Sequence, residues 1–448
     1  MSDALFPRDF GKTYPTAVRG EGCYIYAADG KRYLDAAGGA AVVTIGHGVA
    51  SVTEAMSAQG RRLAFIHTSH FHSEPAGQLA ARLRALAPAK IRKGGRVYFT
   101  SGGSEATETA LKLCRQYWLA CDEPLRTRVV ARHQSYHGAT LGALAVTGNL
   151  RRKAPYTPLL ADWGHIAPCY CYRCPLGLSY PTCNVACADE LEKLVQSVGP
   201  ETVAGFIVEP VVGATLGAVV PPDGYLERIA EICRRHNILL MADEVMTGMG
   251  RTGKGFAVEH WGVEPDLILV GKGVASGYAP LGAVLVGGEV ADAIARGPGY
   301  FEHGFTYSAH PVATAAGLAV LDYIEQNKLF ERVAPAGEQF GRDLEPLRAL
   351  PIVGDIRGRG LLWGVEFVRD STTREPFPAA AGVAGRVYRA ALEEGILTYP
   401  IQGCVDGERG DHILLAPPFV LSAEESQQVA RGLEAAVARV ARELRVSQ

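Results

Sequence analysis

Two short apolar runs, residues 238–242 and 267–270, constrain the fold more than any other feature of the sequence. Each has the length and the unbroken apolar character of a strand that is buried on both faces, as in parallel sheets. Asp243 follows the first run, and Lys272 follows the second after one glycine. Ligands of an open α/β sheet bind at the carboxyl ends of its strands, so both side chains are expected to face one bound molecule.

An acid and a lysine in these positions favour pyridoxal phosphate as the cofactor. Pyridoxal phosphate needs a lysine that forms a Schiff base with its aldehyde and a carboxylate that keeps its pyridine nitrogen protonated. Taken alone, Lys272 can equally be a solvated loop lysine and Asp243 a helix cap or an ion-pair partner, because lone charged residues are mostly surface groups. The rest of the sequence decides between these interpretations.

Composition points to a soluble globular enzyme. The chain has 448 residues, of which 48% are apolar and 21% charged, and this size predicts two domains or a large domain with a smaller lobe. A net charge of -2 gives no electrostatic case for binding nucleic acid or an anionic membrane, and the basic run 151–153 is interpreted as a solvated turn. With no signal pattern at the N-terminus and no apolar run of about 18 residues, a cytoplasmic location is expected.

A glycine-rich turn provides a candidate phosphate site. Residues 96–100 are predicted to form a strand and residues 104–118 a helix, and Ser101, Gly102 and Gly103 lie between them. Unpaired backbone N–H groups and the helix dipole point toward the same spot at such a turn, which favours an anion there. The alternative is a plain strand-to-helix connection in which glycine only relieves crowding.

The remaining elements predict two packed units. Buried strands are predicted at 128–132 and 204–208, and their alternation with helical stretches such as 225–236 indicates a doubly wound sheet. From residue 321 the pattern changes to that of a smaller α/β lobe that packs firmly on the large domain. Its predicted elements are a long helix from 321 to about 349, a helix at about 378–394, strands near 396 and 413, and a final helix after a Ser422–Glu425 capping box.

With these motifs in place, the sequence resembles the class III aminotransferases of fold type I, which are pyridoxal phosphate enzymes. The resemblance covers nearly the whole chain and is carried by residues 29–35, 101–106, 136–138, 208–210, 243–245, 250–253, 271–273 and 303–311. It implies an α/β fold with a mostly parallel sheet flanked by helices in a large domain, residues 61–320. A small α/β domain would then be made of both termini, residues 1–60 and 321–448.

The resemblance also implies a role for each matched residue. Lys272 would carry the Schiff base and move the proton, and Asp243 would pair with the pyridine nitrogen. Thr306 would reach the phosphate of the neighbouring subunit's cofactor, which implies an obligate homodimer. The other implied cofactor contacts are Ser101, Gly102, Gly103 and Ser104 at the phosphate, Tyr136 on the front face of the ring, Val245 behind it, His137, and Glu209 near the phenolic oxygen.

The implied activity is a ping-pong transamination from an amine donor to an oxo acid. Members acting on ornithine or 4-aminobutyrate carry a second glutamate where this chain has Ala214, so the chain is similar to the branch that acts on ω-amino acids and amines with pyruvate. Arg409 is the candidate for holding a substrate carboxylate, and Phe71 a candidate pocket residue; a solvated loop arginine and a core phenylalanine are the alternatives. An aminomutase of the glutamate-1-semialdehyde type and a transaminase using 2-oxoglutarate stay open as alternative functions.

Two further motifs are weighed against this interpretation. The glycines at 248, 250 and 253 match a dinucleotide fingerprint, but that motif must open directly from a strand into a helix, and five residues intervene here. A cysteine cluster could ligate zinc or an iron–sulfur centre, form disulfides or stay free in a stiff loop; its members are Cys169, Cys171, Cys174, Cys183 and Cys187. Because the chemistry needs no metal, none is predicted, and free thiols are expected.

Overall fold

The computed structural model describes residues 4–445, which form fifteen strands. In chain order the strands are β1 Ala17–Glu21, β2 Tyr24–Ala27, β3 Arg32–Asp35, β4 Arg96–Thr100, β5 Arg128–Arg132, β6 His165–Ile166, β7 Val203–Val208, β8 Leu239–Asp243, β9 Leu267–Val270, β10 Gly282–Val286, β11 Val353–Arg359, β12 Leu362–Phe367, β13 Ile396–Leu397, β14 Tyr399–Gln402 and β15 Asp411–Leu415. The strands predicted at 96–100, 128–132 and 267–270 have the predicted bounds.

Fourteen α-helices accompany them in the same residues. They are α1 Gly38–Ala41, α2 Ala50–Arg62, α3 Glu74–Leu86, α4 Ala89–Arg92, α5 Gly103–Ala120, α6 Leu141–Val146, α7 Leu150–Lys153, α8 Ala186–Val198, α9 Tyr225–Arg235, α10 Gly288–Arg296, α11 Pro311–Gln326, α12 Leu329–Leu344, α13 Val383–Glu393 and α14 Ala423–Glu443. Short 3-10 helices cover Ala154–Leu159, Cys171–Arg173, Pro200–Thr202, Ala257–Trp261, Lys272–Val274, Glu345–Ala349 and Ala379–Ala381.

A seven-stranded sheet forms the centre of the molecule and confirms the predicted α/β class. Its strand order is β4-β10-β9-β8-β7-β5-β6. Strands β9, β8, β7, β5 and β6 run parallel, whereas β10 is antiparallel to both of its neighbours. Every residue of β7, β8, β9 and β10 is buried, because helices cover the faces of the sheet. The parallel strands β7, β8 and β9 have their carboxyl ends at one edge of the sheet, where the candidate site lies.

Both ends of the chain meet in the smaller sheets. Strands β1, β2 and β3 continue into β13 from the C-terminal part, with Ile396 paired to Leu34 in parallel. A second small sheet has the order β11-β12-β15-β14. This joining of N-terminal and C-terminal strands supports a small domain made of both termini. The proposed boundaries at 60/61 and 320/321 fall inside α2 and α11, and the division stays a prediction.

The C-terminal elements differ from the prediction in several places. The long helix expected from 321 to about 349 is two α-helices and a 3-10 turn: α11 already begins at Pro311, and the chain breaks where Lys328 takes a left-handed φ of 50° before α12. The helix predicted at 378–394 begins only at Val383. Residues 23–35 predict two strands joined by a tight Asp-Gly turn, which are β2 and β3, whereas strands β1, β6, β10 and β14 were not predicted. The Ser422 and Glu425 capping box is confirmed, since each side chain accepts from the other's backbone N–H.

Apolar packing separates the two parts of the fold. A large cluster of buried side chains covers one face of the central sheet, and another, with α5, covers the opposite face. A further large cluster fills the space between α12, α13, α14 and the small sheets. The long helix α11 contributes to the first and third of these clusters and contacts α2 and α3, so it links the two parts. No helix within residues 4–445 has the length and apolar character needed to cross a membrane.

Candidate active site

Lys272 lies at the carboxyl end of β9, in a conformation that side-chain-bearing residues rarely adopt. Its φ is +40°, in the left-handed region, and it begins a short 3-10 helix in which Val274 N–H donates to the Gly271 carbonyl at 3.0 Å. The side chain is partly buried, and its amine has no hydrogen-bond or ion-pair partner among the described residues. Burial lowers the pKa of Lys272, against the opposing effect of the Asp243 and Glu209 carboxylates. A lysine in these surroundings is more readily deprotonated and therefore more nucleophilic.

Asp243 ends the neighbouring strand β8, and Leu269 of β9 is its register partner. It is buried, and Oδ2 lies 2.7 Å from His137 Nδ1, while Oδ1 accepts from the Val245 N–H at 3.1 Å. His137 Nε2 is buried without a partner in the described residues. An ionised carboxylate accepts about four hydrogen bonds, so Asp243 keeps capacity for a further cationic N–H. The strand pairing brings Asp243 and Lys272 to the same sheet edge, as the sequence predicted.

Glu209 follows β7 and is fixed by two backbone donors. Oε1 accepts from the Tyr136 N–H at 3.0 Å, and Oε2 accepts from the Gly213 N–H at 2.8 Å. Burial raises the pKa of Glu209, and the nearby charge of Asp243 raises it further, whereas the two backbone donors lower it. The carboxyl group thereby holds the loop that carries Tyr136 against the end of β7.

The glycine-rich turn between β4 and α5 faces the same edge. A Cβ added to Gly103 would lie 2.8 Å from Val245 Cγ1, and one added to Gly271 would lie 3.3 Å from Gly103 N. The turn, Val245 and the residue before Lys272 are therefore in close contact. Gly103 begins α5, and the first N–H groups of an α-helix have no acceptor within the helix. This end of α5 has the geometry of an anion site next to the lysine.

The loop that follows β5 closes over this turn. Ser104 Oγ accepts from the Ala139 N–H at 3.0 Å, and a Cβ on Gly138 would lie 2.8 Å from that oxygen. Tyr136 is partly buried, and burial raises the pKa of its hydroxyl. The guanidinium carbon of Arg152 lies 4.4 Å from the centroid of the Tyr136 ring. The structure thus corrects the interpretation of 151–153 as a solvated turn, because Arg152 is partly buried at the site.

Three predicted residues make no hydrogen bond, ion pair or ring contact with this cluster within residues 4–445. Thr306 and Phe71 are exposed, Phe71 to 68%, so the alternative of a core role for Phe71 is wrong. Arg409 is 55% exposed, and its Nε donates to Asp406 Oδ2 at 2.7 Å within its own turn. Their proposed roles toward phosphate and substrate stay predictions.

The cysteine cluster belongs to a firmly held loop. All ten cysteines of the chain are free, and residues 4–445 contain no group of three or more histidine, cysteine or acidic side chains suited to a metal. Arg132 donates to Cys169 Sγ at 3.2 Å, and Arg173 Nε donates to Glu366 Oε1 at 2.6 Å. Glu366 also accepts from the Tyr170 hydroxyl. These contacts tie the loop to β12 in the small sheet.

The glycine motif at 248–253 is a structural turn. A run of turns follows β8, and no helix begins within the motif. Arg251 is buried and donates to the carbonyls of Val43 at 3.0 Å and Leu361 at 3.1 Å, while a Cβ on Gly250 would lie 2.5 Å from Phe330 Cδ1. The motif joins the central sheet to both terminal parts and does not have the geometry of a dinucleotide site.

The clustered residues fit the requirements of pyridoxal phosphate. An unpartnered lysine amine, a buried carboxylate with spare acceptor capacity, an aromatic ring and the start of an eighteen-residue helix lie at one sheet edge. The lysine matches the aldehyde of that cofactor and the carboxylate its pyridine nitrogen. The aromatic ring matches the pyridine ring, and the start of the helix matches the phosphate. Sequence reasoning found this set and missed Arg152. Arg152 lies sixteen residues after Tyr136, in the short helix α7, and only the fold brings the two side chains together.

Comparisons with known proteins agree with this geometry. The model of the family described as aminotransferase class-III matches residues 6–437. The aminotransferase YodT of Bacillus subtilis is 37% identical over 446 residues, covering 99% of this chain and 100% of that protein. An adenosylmethionine-8-amino-7-oxononanoate aminotransferase of Geobacter sulfurreducens is 37% identical over 94% of this chain and 91% of its own.

Solved structures give the same result. An (S)-enantioselective omega-transaminase from Thermomicrobium roseum has a TM-score of 0.92 and 39% identity, with 98% of this chain and 97% of that chain covered. An amine transaminase from an uncultivated Pseudomonas species, in a PLP-bound form, has a TM-score of 0.90 and 39% identity, with 98% of each chain covered.

Proposed function

The chain belongs to the class III aminotransferases, and from that premise we propose that it transfers an amino group from an ω-amino acid or amine to a 2-oxo acid, pyruvate first among them. The proposed cofactor is pyridoxal phosphate, held at Lys272. The observation that carries this proposal is the partly buried, unpartnered amine of Lys272, whose pKa is lowered by burial at the sheet edge where Asp243 is also buried.

When bound, pyridoxal phosphate supplies an aldehyde for the amine and a ring that accepts electrons. Asp243 would keep a proton on the ring nitrogen, and His137 fixes the orientation of that carboxylate through its 2.7 Å contact. Gly103 and Ser104 would bind the phosphate through backbone N–H groups, with Ser101 and Gly102 shaping the turn. Val245 and Tyr136 would hold the ring between them.

Lys272 does two things in the proposed reaction. It would hold the cofactor covalently, and its amine would become free once an amine substrate takes its place. The free amine would then act as a base toward the proton on the substrate carbon. Its lowered pKa favours the neutral form that a base needs. Glu209 keeps Tyr136 in place through the Tyr136 N–H and would be near the phenolic oxygen of the cofactor.

The substrate proposal rests on Ala214. This residue is buried, and its carbonyl accepts from His412 Nε2 at 2.7 Å. Members that act on ornithine or 4-aminobutyrate carry a glutamate here that pairs with an arginine at the substrate site. Because alanine has no carboxylate for such a pair, those substrates are disfavoured. Two structural neighbours, an omega-transaminase and an amine transaminase, point in the same direction.

We also propose a homodimer in which Thr306 contacts the neighbouring subunit's phosphate. Its support is an exposed aromatic surface, defined here as Phe65 and Tyr307, which are 42% and 62% exposed. The rings of Phe65 and Tyr307 lie 6.0 Å apart, and Thr306 is the residue before Tyr307. Contiguous exposed aromatic side chains of this kind mark protein–protein interfaces.

The visible absorption of the purified protein tests the proposed reaction. We expect a cofactor band that fades when β-alanine is added and returns when pyruvate follows, since each half-reaction converts the cofactor. A Lys272→Ala variant is expected to lack this response, and Lys254→Ala, which changes an exposed lysine, is the matched control. A band that ignores every amine, or its absence after added pyridoxal phosphate, would overturn the proposal.

A further inference from the structure

Arg152 lies at the candidate active site and has no acidic partner among residues 4–445. Its guanidinium covers the Tyr136 ring at 4.4 Å, and this is its only side-chain contact with a described residue at hydrogen-bonding, ion-pairing or ring distance. The two basic residues beside it are engaged: Arg151 donates to Gln402 Oε1 at 2.9 Å, and Lys153 Nζ donates to the Ala145 carbonyl at 3.0 Å. A partly buried guanidinium that has only a ring as partner retains all its N–H donors for a ligand.

The position of Arg152 is fixed relative to Tyr136. Asn149 caps α7 by accepting from the Arg152 N–H at 3.2 Å, and its Nδ2 donates to Gln134 Oε1 at 3.0 Å. Asn149 and Gln134 are both buried, and Gln134 precedes Tyr136 by two residues. Two side-chain hydrogen bonds thereby join the helix of the arginine to the loop of the tyrosine.

The charge of Arg152 reaches the reacting lysine. Burial is the main cause of the lowered pKa of Lys272, and the charge of Arg152 adds to it; the same charge partly offsets the rise that burial causes in the pKa of the Tyr136 hydroxyl. Arg409, in contrast, is 55% exposed and already paired with Asp406. Arg152 is therefore better placed than Arg409 to meet a charged group on a substrate.

We infer that Arg152 binds the carboxylate of the substrate and sets the preference of the enzyme for amines that carry one. A planar guanidinium binds a carboxylate through two parallel hydrogen bonds, a stronger contact than the one it makes with an aromatic ring. The substrate class is thus an amino acid whose carboxylate lies away from the reacting amine. This inference rests on the proposed aminotransferase function and assigns one residue of its substrate site.

The test compares two donors of the same carbon number, β-alanine and propylamine, of which only β-alanine has a carboxylate. The rate at which each amine bleaches the cofactor band is measured for the wild-type enzyme and for Arg152→Gln. We expect the apparent second-order rate for β-alanine to fall about 100-fold, the value of a lost hydrogen bond between charged groups, with propylamine unchanged within about twofold. Arg152→Lys should recover part of the loss, since it keeps the charge without the planar fork.

The inference would be overturned by an equal loss with both amines, which would make Arg152 a positioning residue for Tyr136, or by no loss with β-alanine. Arg151→Gln is the matched control and should react as wild type does. If only Arg409→Gln lowered the rate with β-alanine, Arg409 would be the residue that binds the carboxylate, and the inference would be overturned.

A binding measurement separates this inference from the proposed reaction. Propionate has the carboxylate and no amine, so its dissociation constant, measured by calorimetry, does not depend on catalysis. We expect Arg152→Gln to weaken propionate binding at least about tenfold. Equal affinities for wild type and variant would overturn the inference even if transamination is observed. A wild type that binds propionate through Arg152 and converts no amine would refute only the proposed function.

Discussion

At the scale of single residues, the chemistry depends on how Lys272 and Asp243 are held. Both could be predicted from the sequence, because each follows a short apolar run at the end of a parallel strand. The contacts around them could not. The bond from His137 to Asp243 and the ring contact of Arg152 join residues that are distant in sequence or on a different element. A basic run such as 151–153 is usually a solvated face, and only the fold shows which member turns inward.

Burial of Lys272 gives a prediction about pH. A lysine attacks an aldehyde only after losing its proton, and burial favours the neutral form by lowering the pKa of Lys272. The rate at which the apo protein takes up pyridoxal phosphate should therefore rise with pH through a midpoint below the ordinary lysine value. Stopped-flow absorbance across a pH series measures that midpoint. A midpoint at or above that of a free lysine side chain would contradict the assigned environment.

Replacing Asp243 with asparagine tests the carboxylate at the ring nitrogen. The variant keeps the size of the side chain and its contact with His137 but loses the negative charge. We expect kcat to fall about 100- to 1000-fold, as on removal of one preorganised electrostatic group, with cofactor still bound. Asp29→Asn, at an exposed turn, is the control. Full activity of Asp243→Asn would refute the assigned role.

At the scale of elements, hydrophobic periodicity and turn residues predicted the strands and helix caps that local sequence determines. Strands β4 and β9 have their predicted bounds, and the capping box of α14 is present. Local sequence does not specify strand direction or order, so the antiparallel strand β10 between β4 and β9 was missed. The break between α11 and α12 was missed as well, since Lys328 adopts a left-handed conformation that glycine or asparagine would have signalled.

The turn before α5 allows a matched pair of substitutions. Gly103→Ala places a Cβ 2.8 Å from Val245 Cγ1, a clash inside the proposed phosphate site, whereas nothing lies within 4 Å of a Cβ on Gly102. Overpacking of this kind costs about 1–3 kcal/mol, so the dissociation constant of pyridoxal phosphate should rise about 5- to 150-fold in Gly103→Ala.

Titration of each apo variant with the cofactor measures this difference. Gly102→Ala should bind within about twofold of wild type, because the extended φ of 175° at Gly102 suits any residue. Equal affinity of the two variants would contradict a phosphate site at the start of α5.

At the scale of the whole molecule, the exposure of the aromatic surface is not explained by packing within one chain. The sequence predicted a homodimer through the family resemblance, with Thr306 at the neighbouring subunit's phosphate, whereas Phe71 was predicted to line the substrate pocket. Both are exposed in the single chain, and Thr306 lies beside Tyr307 of the aromatic surface. Surfaces that meet a second copy show no distinctive periodicity, so the sequence alone could not outline this one.

A charge placed on the aromatic surface should separate the subunits. Phe65→Glu is expected to raise the dimer dissociation constant on the order of 100-fold or more, because the carboxylate would be desolvated in the interface. Light scattering at decreasing protein concentration measures the change. Leu125→Glu, at a side chain that is 66% exposed elsewhere, is the control. A Phe65→Glu protein with unchanged mass and activity would contradict the proposed interface.

The most direct test of the account is to trap the cofactor on the chain. Borohydride reduction of the yellow enzyme makes the lysine linkage permanent, and mass spectrometry of the proteolytic peptides then identifies the modified residue. We predict one pyridoxyl phosphate group per chain, on the peptide that contains Lys272. Modification of another lysine, or of none after saturation with pyridoxal phosphate, would contradict the assignment of the site.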